Sequence, residues 1–155
     1  MAGVLVDTNV LVYAHDPAER MKRARAIATL EAVYASGAGR LSVQCLSEFF
    51  WTVTRGNRPL LAVREAAAQV ERLALGWVTL DLTAAIVLEA TRGVHQHRLA
   101  FWDSQLWATA RLNQVSLILS EDFTDGRRVE GVRFVNPFAP GFDARQLTAG
   151  SGREP

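Results

Sequence analysis

The feature that most constrains this chain is the alternation of short apolar runs with longer stretches of helical period. Gly3-Val4-Leu5-Val6, Leu41-Ser42-Val43, Trp77-Val78-Thr79-Leu80, Ser116-Leu117-Ile118-Leu119 and Val132-Arg133-Phe134-Val135 are each too short for a helix, and most are rich in β-branched residues. Runs of this kind suit strands covered on both faces, as in a parallel sheet. Between them the spacing predicts helices over about 10–15, 18–36, 44–54, 61–75, 83–97 and 101–113. The second would carry Ile27, Leu30 and Tyr34 on one side, the fourth Val63, Ala66, Val70, Leu73 and Ala74 at helical intervals. Thr83 reads as an N-cap, and Asp16-Pro17 and Gly37-Ala38-Gly39 as stops. Strands separated by helices predict an α/β sandwich around a mostly parallel sheet, while the order of the strands is not encoded in such a pattern.

A chain of 155 residues has room for one domain with one core, and it contains no internal repeat or long linker. The domain is expected over 1–138, with 139–155, reading APGFDARQLTAGSGREP, as a flexible C-terminal tail. No apolar run approaches membrane length, and the stretch from Met1 to Asp7 has no basic start, so the expected location is cytoplasmic. The single cysteine, Cys45, excludes an internal disulfide and reads as a small buried hydrophobe among Leu41, Val43, Leu46 and Phe49.

The formal net charge of +1 gives no strong basic field. Lys22 is the only lysine among the 17 basic residues, and this excludes several chemistries. A phosphate-binding P-loop fails because no Gly-Lys-Ser/Thr exists. Phosphatases of the haloacid dehalogenase type need a second Asp two positions after the strand-end one, where this chain has Asn9, and a later basic residue, usually lysine. A response-regulator receiver fails on the same lysine criterion.

Ligands of open parallel sheets bind beyond the carboxyl ends of the strands. Asp7 directly follows the first apolar run, Asp122 closely follows the fourth, and Asp103 lies in the first turn of the helix leading into it. Glu48 is the only charged residue between Leu41 and Thr54, with no evident basic partner. Each has a purely structural explanation: Asp7 as a helix cap, Asp103 as a first-turn acid favoured by the helix dipole, Glu48 snorkelling to solvent, Asp122 in an Asx-turn. Asp81 also follows an apolar run and is assigned to capping. Taken together, carboxylates sharing a pocket would take up protons unless a cation neutralised them, and a hard oxygen-seeking ion such as Mg²⁺ or Mn²⁺ suits them. His15, His95 and His97 lack zinc-ligand spacing with Cys45. For Phe49, Phe50 and Trp51 core packing is the default, an exposed groove for a partner's helix or a second subunit the alternative.

Four segments resemble the PIN-domain family, and specifically the VapC toxins of bacterial toxin–antitoxin pairs: Val4-Leu5-Val6-Asp7-Thr8-Asn9-Val10-Leu11-Val12-Tyr13-Ala14, Ser47-Glu48-Phe49-Phe50, Phe101-Trp102-Asp103-Ser104 and Leu119-Ser120-Glu121-Asp122-Phe123. Val135-Asn136-Pro137-Phe138 is similar to one branch of these toxins, so the likeness covers about residues 3–138. The resemblance implies a three-layer α/β/α domain around a parallel sheet of about five strands. It implies a single-strand endoribonuclease requiring Mg²⁺ or Mn²⁺, with Asp7, Glu48, Asp103 and Asp122 as its acidic quartet and Asn9 and Ser120 as supporting polar residues. Glu121 and Asp125 compete with Asp122 for the fourth acidic place. The resemblance further implies a homodimer and a VapB-type antitoxin that blocks the acidic pocket with a basic side chain. A maturation ribonuclease without an antitoxin and a non-catalytic RNA- or protein-binding module are the alternatives. Candidate contacts to the RNA backbone are Arg20, Lys22, Arg23, Arg25, Arg55, Arg58, Arg127 and Arg128.

Overall fold

The computed structural model describes residues 3–147. Its central sheet contains β1 (Gly3–Val6), β2 (Gly39–Ser42), β3 (Val78–Leu80), β4 (Val115–Leu119), β5 (Arg128–Val129) and β6 (Val132–Val135). The order is β3-β2-β1-β4-β6-β5, and every pairing is parallel except the β5–β6 hairpin. The helices are α1 (Thr8–Tyr13), α2 (Arg20–Ala35), α3 (Val43–Thr54), α4 (Val63–Gly76), α5 (Ala84–His97) and α6 (Phe101–Leu112). The three-layer α/β/α class expected from the sequence is what forms. The β5 strand, only two residues long, was not anticipated, because so short a run carries no periodicity.

Alternation along the strands divides the core in two. Leu5 and Ile118 point to a layer built from α5 and α6 around the buried Trp107, whose indole N–H donates to the Val129 carbonyl at 3.1 Å. Val4, Val6 and Leu119 point to the other layer, with Val10, Val33, Phe49 and Ala66. In α2 the buried stripe is Ala26, Thr29 and Val33, while Ile27 and Tyr34 are exposed. Of the large residues named from the sequence, Leu30 alone packs partly buried against this layer. Asp81 is exposed and does not cap α5; Thr83 does, its hydroxyl accepting from the Ile86 N–H at 3.2 Å. Among the described residues no helix is long and apolar enough to cross a membrane.

The expected tail beginning at Ala139 is ordered over its first part. Ala144–Leu147 form a 3₁₀ turn, Phe142 and Leu147 join the core layer over α2, and the Arg25 guanidinium holds the Ala139 carbonyl at 2.9 Å. Two apolar side chains with a core to join overcome the Gly- and Pro-rich composition. The remainder of that segment, 148–155, lies outside the described residues.

The α5–α6 contact depends on Gly93. A Cβ there would stand 2.2 Å from Ser104 Oγ and 2.8 Å from the Trp107 ring. The Ser104 hydroxyl is itself committed to the Ala90 carbonyl at 2.7 Å and cannot swing away freely. We expect Gly93→Ala to destabilise the domain by about 1–3 kcal/mol, overpacking outweighing the helix-propensity gain of about 1 kcal/mol. Urea denaturation would measure this, and an unchanged or higher midpoint would contradict it.

Candidate metal-dependent active site

The strand order explains where the polar residues collect. The chain leaves β1 towards β2 and β3 on one side and returns through β4 on the other, so the switch point lies between β1 and β4. Val6 pairs with Leu119 at the carboxyl ends of these strands, and the Asp7 N–H continues the ladder to the Leu119 carbonyl at 2.9 Å. Asp7 and Ser120 are thus neighbours although 113 positions apart.

Asp7 is buried and its two oxygens do different work. Oδ1 caps α1 by accepting the Thr8 N–H at 2.7 Å, so the capping explanation is true of this atom. Oδ2 accepts from the Ser120 hydroxyl at 2.6 Å and from the Asn9 amide at 3.3 Å. The same Asn9 Nδ2 lies 3.1 Å from Ser120 Oγ and 3.2 Å from Asp122 Oδ2, so one amide ties Asp7 to Asp122. Its Oδ1 is buried without a hydrogen-bond partner among the described residues.

Glu48, one turn into α3, finds neutral donors in place of a basic residue. Thr8 Oγ1 donates to Oε2 at 2.9 Å and Gln44 Nε2 to Oε1 at 2.8 Å. Neither Thr8 nor Gln44 was identified from the sequence. Gln44 had a readable signal, standing four residues before Glu48 on a helix, where side chains meet. Asp103 is half-buried in the first turn of α6 and makes no hydrogen bond among the described residues.

The electrostatics follow from this crowding. Burial pushes the Asp7 carboxyl up to about 7; the Ser120 and Thr8 hydrogen bonds oppose the rise, and repulsion from Asp122 and Glu48 adds to it. Burial, then Asp122 and Glu48, also raise Asp103 above its ordinary value. Cys45 beneath them is buried and pushed up to about 12, chiefly by burial and then by Asp7, consistent with an inert filler.

The other acids near Asp122 are engaged elsewhere. Glu121 is bound by Lys22 at 2.9 Å and by the Tyr13 hydroxyl at 2.7 Å, and Asp125 accepts the Asn136 N–H at 2.8 Å. Lys22 is thereby consumed, as is Arg127, which donates to the His97 carbonyl at 3.1 Å. Arg55 instead lies over the Trp51 ring, 5.9 Å from its centroid.

Among the described residues no three His, Cys, Asp or Glu side chains have ready-made metal-binding spacing. The donor set nonetheless fits a hard cation: all four acids offer oxygen, two have raised pKa values, and Asp103 has no donor among the described residues. A cleft of about 390 Å³ lined by Thr8, Asn9, Tyr13, Glu48 and Asp122 gives access to this region.

Three comparisons bear on this arrangement. Among curated proteins none matches the sequence. Solved structures match in fold. A toxin–antitoxin complex from Klebsiella pneumoniae gives a TM-score of 0.65 at 17% identity over 88% of this chain and 98% of that one. A DNA-bound VapBC from Salmonella typhimurium gives 0.61 at 14% identity over 88% and 99%. Mycobacterium tuberculosis VapC20, described as a sarcin-ricin loop cleaving toxin, gives 0.58 at 17% identity over 75% and 87%. The family model of the PIN domain matches residues 4–129, a span that takes in the switch point and all four acids. The chain belongs to the PIN-domain family.

Proposed function

We propose that this protein is a divalent-metal-dependent endoribonuclease cleaving single-stranded RNA, the toxin of a VapBC-type pair. One observation carries the reading: Asp7, buried at the switch point and raised to about 7, shares its electrostatic surroundings with Glu48 and Asp122, as does Asp103. Carboxylates gathered at a strand-end cleft have a plain use only if a cation joins them.

Asp7 and Asp103 would hold Mg²⁺ or Mn²⁺, with Glu48 and Asp122 completing the set directly or through water. When bound, such an ion neutralises the acids and stabilises the negative charge that develops on a phosphodiester under attack. Ser120 and Asn9 keep Asp7 Oδ2 in place, and Asn9 keeps Asp122 facing it. Glu48, held by Thr8 and Gln44, orients the attacking water and accepts its proton. In-line attack at phosphorus forms a bond to the water oxygen and breaks the bond to the 3′ oxygen, which leaves with a proton. The products are a 5′-phosphate and a 3′-hydroxyl.

Because Lys22 and Tyr13 occupy Glu121, Asp122 is assigned as the fourth acid. We expect Asp122→Asn to lower cleavage about 10–100-fold, the scale of an outer ligand-shell loss, and Glu121→Gln to leave it within about threefold. The reverse ranking in a single-turnover assay would move the assignment to Glu121.

The toxin reading is supported by the solved structures of similar fold, two of which are complexes with antitoxins or named VapBC. It implies a VapB-type antitoxin that enters the acidic cleft with a basic side chain, and a homodimer. Induced expression should arrest growth, and Asp103→Asn should relieve the arrest. Growth unaffected by the wild-type protein, alongside RNA cleavage in vitro, would favour a maturation ribonuclease.

A further inference from the structure

A second cleft, of about 540 Å³, adjoins the acidic one. Its lining includes Trp51 and Ser47 of α3, Trp102 and Gln105 of α6, and Glu48, which also lines the acidic cleft. Trp51 is 64% exposed and Trp102 63% exposed. An aromatic side chain ordinarily hides most of its surface, so two indoles left open on one cleft call for an occupant. Both are set in place by neighbours: Trp102 meets Phe101 edge-on at 5.0 Å, and Trp51 lies against the Arg55 guanidinium. Beside them, Gln105 donates to Gln44 at 2.9 Å, and Gln44 donates to both Glu48 and the Trp102 carbonyl. The residue that fixes the acid also fixes the backbone of one indole.

We propose that this cleft is a base-stacking subsite in which Trp51 and Trp102 receive unpaired RNA bases next to the scissile phosphate, with Arg55 meeting the backbone. The inference rests on the ribonuclease reading above. Three features favour a nucleic-acid strand. The cleft is continuous with the acidic site through Glu48, so a strand with its phosphate at the acids has its neighbouring nucleotide here. Flat aromatic faces beside a cation match the alternation of base and phosphate. Ser47 and Gln44 line the cleft beside the indoles and offer hydrogen-bonding groups of the kind that meet the edges of an unstacked base. The subsite also gives single-strand preference a physical cause, because a duplex keeps its bases stacked on one another and offers no free face.

The test uses full-length Asp7→Asn protein with Mg²⁺, so that binding is read without cleavage. Fluorescence anisotropy would compare a labelled single-stranded RNA octamer, an abasic ribose-phosphate strand of equal length, and an RNA hairpin duplex. Trp51→Ala and Trp102→Ala should each weaken octamer binding roughly ten- to a hundredfold, and the abasic strand and duplex should bind comparably poorly to the parent. Trp51→Phe and Trp102→Phe should restore most of the affinity, which separates stacking from misfolding. If the wild type cleaves RNA but the alanine variants bind as tightly as the parent, the subsite is overturned and the ribonuclease reading stands. If the alanine variants instead dissociate a dimer in sedimentation while RNA affinity holds, the surface belongs to a second copy. A wild type that does not cleave RNA and a parent that does not bind it would remove both readings together.

Discussion

Asp7→Asn should abolish RNA cleavage while making the metal-free protein harder to unfold at neutral pH. The loss of activity follows from removing the most central acid: several kcal/mol of charge stabilisation correspond to a fall of roughly a thousandfold or more in rate. The gain in stability follows from burial. The Asp7 carboxyl rises from 3.8 to about 7 on folding, so between those values the folded protein binds more protons than the unfolded chain. Stability therefore falls as pH rises from about 4 to about 7, and above that range the deficit is complete, up to about 4 kcal/mol. Asparagine carries no charge to bury, caps a helix as well as aspartate does, and can still accept from Thr8. Chemical denaturation at pH 5 and pH 8 would show two nearly parallel values for the variant and a drop for the wild type. A variant less stable than wild type at both pH values would mean that Asp7 is a structural cap whose charge the fold uses.

Removing divalent ions should eliminate cleavage, and restoring Mg²⁺ or Mn²⁺ should return it together with thermal stability. An ion that binds only the folded protein stabilises it by about 2.7 kcal/mol at a hundred times its dissociation constant. For a domain of this size that is a rise in melting temperature of roughly 5–10 °C. The increment should grow as pH increases from about 5 to 8, because Asp7 must lose its proton before the ion can replace it. Scanning calorimetry with EDTA and with Mg²⁺ across this range would measure both effects. Cleavage that persists through chelation rejects the metal-dependent mechanism, and a pH-independent increment would place the ion away from Asp7.

The two effects share a cause, since Asp7 sits where a protein would not ordinarily put a carboxylate. An apolar side chain there would need neither Ser120 nor Asn9, both of which donate to Asp7 Oδ2. What they hold instead is a group that is costly to bury when charged, the compromise expected of a functional position.

Much of this was readable in the primary structure. The apolar runs gave the parallel strands, Thr83 gave the start of α5, and Asp7 and Asp122 followed from the ends of β1 and β4, since strand termini are local properties. The aromatics of α3 show where local reading stops. Phe49 is buried, yet Trp51, two positions on, is exposed, and a side chain's burial depends on which neighbours arrive at its face. Glu48 lacked a basic partner in the sequence because its donors are Thr8 and Gln44, and Thr8 comes from another helix 40 positions away. The proposal of Asp122 over Glu121 and Asp125 rests on Lys22, Tyr13 and the Asn136 N–H occupying the other two, contacts that only the folded chain makes.

The sequence by itself determined the class of fold and the kinds of donor available, because hydrophobic period and residue chemistry act over a few positions along the chain. Tertiary structure alone decided that β1 and β4 lie side by side, and so which acids share a cleft, which carboxylate is denied water, and which indoles stay open to solvent. Those outcomes depend on contacts between residues far apart in the chain, which only the folded arrangement brings within reach of one another.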